Sequence, residues 1–206
     1  MNNFAYSSQQ PDTIAPKIEE IIRKDLNVSS PLIYNVQQEG EIGVSASSML
    51  TDAGRSFFGG KITPLFSMNF DIQQPRHAQL EVKVCRLGVG CYVGGLIFTT
   101  KLNKPASGAV SLEEPKMFGS SKFTGDNDTA GKLNNNKDLL KLAAKFSRVK
   151  SDIGNVKMDR YFRVEPADGG AQVVVITLPR ATSMGMSATT DAADFFTLAS
   201  MIEQAL

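Results

Sequence analysis

With 206 residues, 42% of them apolar and 21% charged, the chain is long enough for one good hydrophobic core and sits near globular averages, which excludes wholesale disorder and fibrous architectures. Its 22 basic and 21 acidic residues leave a net charge of +1, so no global field draws it to nucleic acid or to an anionic membrane. Two cysteines, Cys85 and Cys91, are too few to staple a fold of this length, and the opening MNNFAYSSQQPD has neither a basic nor an apolar leader region. A soluble, cytoplasmic protein with reduced thiols is the expectation.

Residues 1–12 are polar and aperiodic and read as a flexible arm, leaving 13–206 as a single domain. The first helix follows in PKIEEIIRKDL: Pro16 suits a first-turn position, Ile18, Ile21, Ile22 and Leu26 recur at helical spacing, and Glu19/Arg23 and Glu20/Lys24 stand four apart in the favoured order. LIYNV (32–36), EIGVSAS (41–47) and ITPLFSMNF (62–70) then read as strands, Pro64 pushing the last toward an edge or a late start. LEVKVC alternates cleanly, with Leu80, Val82 and Val84 on one face and Glu81 and Lys83 on the other.

The longest uncharged run, LGVGCYVGGLIFTT (87–100), is shorter than the roughly 20 residues a spanning helix needs and carries four glycines, so it reads as strand and turn. Gly88-x-Gly90 followed by Val93 fails the dinucleotide fingerprint; these glycines fit a turn or bulge, with Cys85 and Cys91 able to face each other across a hairpin. Residues 103–121 lose periodicity and gather Pro, Gly and Ser, as a long surface loop or a linker between two lobes would.

FTGDNDTAGKLNNN (123–136) superficially matches two ligand motifs. A phosphate loop needs Gly-x4-Gly-Lys-Ser/Thr, but Gly125 to Gly131 is one residue too long and Leu133 replaces the hydroxyl. A calcium loop started at Asp126 meets Asp128 and Gly131 correctly, then Ala130 at position 5 and Lys137 where the bidentate Glu belongs. The stretch therefore reads as a turn in which Asp126 or Asp128 caps a short helix, with Asn134 to Asn136 before the next one. That next helix, KDLLKLAAKFSRV, sets Leu139, Leu142, Phe146 and Val149 against Lys137, Lys141, Lys145 and Arg148. Basic residues exceed acidic ones by six between Lys132 and Arg163, without aromatics interleaved for base stacking.

DRYFRVEPADGGAQVVVITL reads as two strands around Pro166-Ala-Asp-Gly-Gly, VVVIT being apolar enough for a central strand covered on both faces. TDAADFFTLASMIEQAL ends the chain as a helix lying across the sheet, with Asp191 as cap, Asp194 near its N-terminus and Phe195, Leu198, Ala199 and Ile202 buried. The element order predicts an α+β fold: a mostly antiparallel sheet covered by an N-terminal, a central and a C-terminal helix.

No catalytic template survives. His77 is the lone histidine, GVSAS at Gly43 lacks the second glycine of a nucleophile elbow, and Ser147-Arg-Val-Lys150 closes a helix instead of opening one. The expectation is a non-enzymatic protein that binds another protein or itself, with no cofactor and no metal. Its candidate contact residues are Lys137, Lys141, Lys145, Arg148, Arg180, Met184, Met186, Phe57 and Phe58. One alternative is an enzyme or small-ligand protein whose site is assembled from distant residues such as Arg180, His77 and Asp126. Another is weak nucleic-acid binding by the basic helix 137–150.

Overall fold

The computed structural model describes residues 11–38, 62–87, 90–113, 120–147, 161–177, 180–181, 188–189 and 192–206. Among these residues four helices and ten strands follow in chain order: α1 (Pro11–Asp25), β1 (Tyr34–Gln38), β2 (Ile62–Ile72), β3 (Ala78–Leu87), β4 (Gly90–Leu102), β5 (Val110–Glu113), β6 (Lys122–Gly125), α2 (Asn127–Asn134), α3 (Lys137–Ser147), β7 (Tyr161–Ala167), β8 (Gly170–Thr177), β9 (Arg180–Ala181), β10 (Ala188–Thr189) and α4 (Ala192–Ala205). Eight strands form one antiparallel sheet in the order β1-β2-β3-β4-β8-β7-β5-β6, and β9 and β10 pair as a separate ribbon. The fold is α+β, as the element order predicts.

Alternation decides which side of the sheet is filled. Phe66, Met68, Phe70 and Ile72 of β2, Ala78, Leu80, Val82 and Val84 of β3, Leu96, Phe98 and Leu102 of β4, and Val173 and Val175 of β8 are all buried, and all stand on the same face. The helices add Ile14, Ile18 and Ile22 from α1, Leu133 from α2, Leu139 and Phe146 from α3, and Phe195, Leu198, Ala199 and Ile202 from α4. The expected stripe of the last helix is therefore buried in full. Phe195 stacks on Phe98 with centroids 4.6 Å apart, and Phe123 meets Phe162 edge-on at 5.4 Å. Each such pair contributes about 0.5–1.5 kcal/mol beyond its buried area. Thr100 is the polar exception on the filled face of β4; its hydroxyl donates to the His77 carbonyl at 2.7 Å, so its burial leaves no group unsatisfied.

Several expectations are corrected. Helix α1 starts at Pro11, so Pro16 lies inside it instead of in the first turn; the missing N–H there costs the Asp12 carbonyl its partner, and Pro16 is exposed. The expected ion pairs hold, Lys24 to Glu20 at 2.8 Å and Arg23 to Glu19 at 3.5 Å. The segment read as loop or linker, 103–121, contains β5, which pairs with both β6 and β7; four residues are too short to display a period. Strand β8 is central, but Val174 is only half-buried, so it is covered on one face. Antiparallel hairpins need no crossover helices, and the described helices add their buried residues to the core on the filled face.

Turn chemistry behaves as read. Asp168-Gly169 closes the β7–β8 hairpin with Ala167 opposite Gly170, and Gly169 adopts φ +77°, a conformation that favours glycine. The β3–β4 hairpin continues as strand from Gly90, with a bulge opposite Lys83 and Val84 where Gly94 is the extra residue. Pro64 lies where β2 has passed the end of β1, beside a second bulge at Leu65. Cys85 stands opposite Tyr92 and Cys91 opposite Arg86, so the two cysteines are not register partners. The strand read at 41–47 lies outside the described residues, as does Val149.

Candidate functional site

Of the contact residues proposed from sequence, Lys137, Lys141 and Lys145 lie on the exposed side of α3. Lys145 is joined to Asp194 of α4 at 3.0 Å, Lys132 to Asp128 at 2.9 Å and Arg163 to Glu165 at 3.0 Å, so part of the local basic excess is neutralised by acids. Arg180 lies in β9 opposite Thr189. Arg148, Met184, Met186, Phe57 and Phe58 lie outside the described residues.

The Asp126 segment is built as a cap. Its Oδ1 accepts the Thr129 N–H at 2.9 Å, satisfying one of the orphan donors of α2. Asp128 accepts from Ser107 at 2.6 Å and faces Lys132, and these partners hold its carboxyl below the usual carboxylate range. Thr129 Oγ1 accepts the Gly108 N–H, and Asn136 caps α3 through the Leu139 N–H. Among the described residues no three His, Cys, Asp or Glu side chains group as metal ligands would.

His77 sits at the exposed β2–β3 connection, its Nε2 2.6 Å from Asp71 Oδ1. His77 precedes β3 and Asp126 follows β6, which stands five strands away in the sheet order. His77 and Asp126 make their hydrogen bonds to different residues, Asp71 and Thr129.

A cavity of about 340 Å³ lies between Leu26, Pro75 and Arg76 on one side and Ala193, Phe196, Thr197 and Ser200 of α4 on the other. Its polar groups are already committed. Thr197 and Ser200 donate back to the carbonyls of Ala193 and Phe196, and Arg76 pairs with Glu203. Glu203 also accepts the Asn103 N–H at 2.6 Å. Burial works against its charge, yet the Asn103 N–H and the Arg76 guanidinium hold the carboxyl below its ordinary range. This corner ties the end of α4 to the β2–β3 and β4–β5 connections and is a structural clamp.

Among the described residues, the sheet face opposite the helices carries half-buried side chains. Ile97 and Thr99 of β4 and Val174 of β8 are half-buried there, Thr99 standing directly across from Val174. Glu81 and Lys83 pair on one side of this block and Arg163 and Glu165 on the other. No sequence motif singles these residues out. Their signal is the alternation of LEVKVC carried across neighbouring strands, legible only once the strand order is known.

No protein-family model matches the chain, and neither a curated protein nor a solved structure matches it at a significant level. Among the described residues no helix is long and apolar enough to cross a membrane.

Proposed function

We propose that this protein acts by binding another protein, without chemistry of its own, and that the sheet face opposite the described helices is the surface it uses. What supports this reading is the block of Ile97, Thr99 and Val174 framed by the Glu81–Lys83 and Arg163–Glu165 ion pairs. An apolar centre with a charged rim is how protein contact surfaces are organised. The partner that fits presents a small apolar patch flanked by both signs of charge. The committed state of the polar groups around the α4 cavity weighs against a small-ligand site there.

The test compares capture by the wild-type chain with capture by Val174→Lys and Ile97→Glu, using Lys137→Ala/Lys141→Ala as the control for the basic helix. The face variants lose at least ten-fold in apparent affinity while retaining the wild-type melting temperature, and the helix control does not. Capture that survives both face substitutions refutes the assignment. So does stabilisation by a nucleotide, divalent ion or common metabolite, which at 100 times its dissociation constant amounts to about 2.7 kcal/mol.

A further inference from the structure

The two edges of the eight-stranded sheet are treated differently. At the β6 edge, Asn134 of α2 accepts the Phe123 N–H through Oδ1 and donates from Nδ2 to the Phe123 carbonyl, both at 2.8 Å. One side-chain amide thus stands in for a neighbouring strand and blocks that edge. At the other edge, β1 reads YNVQQ, and among the described residues no strand lies on its outer side. Its pairing with β2 is regular, and it holds no lysine, no proline, no bulge and no inward charge; among the described residues only its brevity guards it. The exposed large apolar side chains among the described residues are Val36 in this strand, 39% exposed, and Ile33 immediately before it, 79% exposed.

We infer that β1 is a self-association edge, pairing antiparallel with β1 of a second copy about a two-fold axis at Val36. In that register Val36 meets its own copy, Tyr34 faces Gln38 and Asn35 faces Gln37, so no like charges oppose and two amides can bond across the join. A second copy suits the edge better than a charged peptide because the strand offers no charge to read. A net charge of +1 per chain adds little repulsion between copies. The two-fold axis runs perpendicular to the sheet, which puts the described helices of both copies on one side and joins the two opposite sheet faces into one surface. The inference does not depend on what binds that face.

The contact is small, and interfaces below about 1,200 Å² are weak and transient, so the experiment is sedimentation velocity of the full chain from micromolar to millimolar concentration. The wild type shows concentration-dependent dimer. Val36→Lys and Val36→Glu each shift the midpoint at least ten-fold toward monomer, and mixing the two variants restores dimer by pairing opposite charges. Hydrogen exchange on the unmodified protein gives a second readout, with β1 amides gaining protection as concentration rises. A wild type that stays monomeric throughout, a dimer indifferent to either substitution, or charged variants that stay apart when mixed each overturns the inference. Partner capture through Val174 can persist in all of these cases, so the two readings fail separately.

Discussion

Replacing Gly170 with alanine places a methyl group where the backbone of the neighbouring strand already is. A Cβ at this position would stand 1.9 Å from the Leu102 carbonyl oxygen and 3.1 Å from the Leu102 carbonyl carbon. Real methyl carbons essentially never come within 3.0 Å of another heavy atom, so the β4–β8 join must open by about 1 Å. Neither side yields easily, since both are main chain at the centre of the sheet, with Leu102 and Ala171 buried in register. Overpacking of this kind costs about 1–3 kcal/mol, and stretched ladder hydrogen bonds put this site near the top, at about 3 kcal/mol. For a chain of this size that lowers the melting temperature by about 6–12 °C. Gly169→Ala is the internal control: nothing lies within 4 Å of its Cβ, and the φ of +77° alone sets a cost of about 1 kcal/mol. Urea and thermal unfolding followed by circular dichroism rank the two. A Gly170→Ala protein within about 0.5 kcal/mol of wild type, or no worse than Gly169→Ala, refutes the close-approach argument.

Two further outcomes follow from the polar contacts. Asp126→Ala removes the Thr129 cap and lowers stability by about 1 kcal/mol, while Asp126→Asn keeps an acceptor and loses less; equal effects of the two in urea melts would show that the cap contributes nothing. Glu203→Gln weakens the clamp by about 1–2 kcal/mol at neutral pH. Because the folded-state pKa of Glu203 is depressed, the stability it adds is fully present above its unfolded value of about 4.3 and fades as pH falls through the folded value. The gap between wild type and variant, read from urea midpoints between pH 7 and pH 2, is therefore flat near neutrality and closes in acid. A gap that persists unchanged to pH 2 refutes that account.

Local pattern was legible in the residues themselves. Leu139 and Phe146 of the α3 stripe, the stripe of α4, the alternation of β3, the Asp168-Gly169 turn and the capping role of Asp126 each depend on neighbours within a few positions in the chain, and each is present. Short or interrupted elements were not legible, because four residues in β5 cannot show a period and Pro16 disguises the true start of α1. Strand order was beyond reach as well, since it depends on pairings between residues far apart in sequence, such as β4 with β8. From that order follow, among the described residues, the sheet face with half-buried Ile97, Thr99 and Val174, the five-strand separation of β3 from β6, and the contrast between the β6 edge met by Asn134 and the β1 edge, where no further strand pairs. Amphipathic period belongs to a segment, whereas exposure belongs to the assembled layers: Val174 carries the same side chain as Val173 and Val175, but alternation turns it away from the core that the described helices fill, and it is only half-buried there.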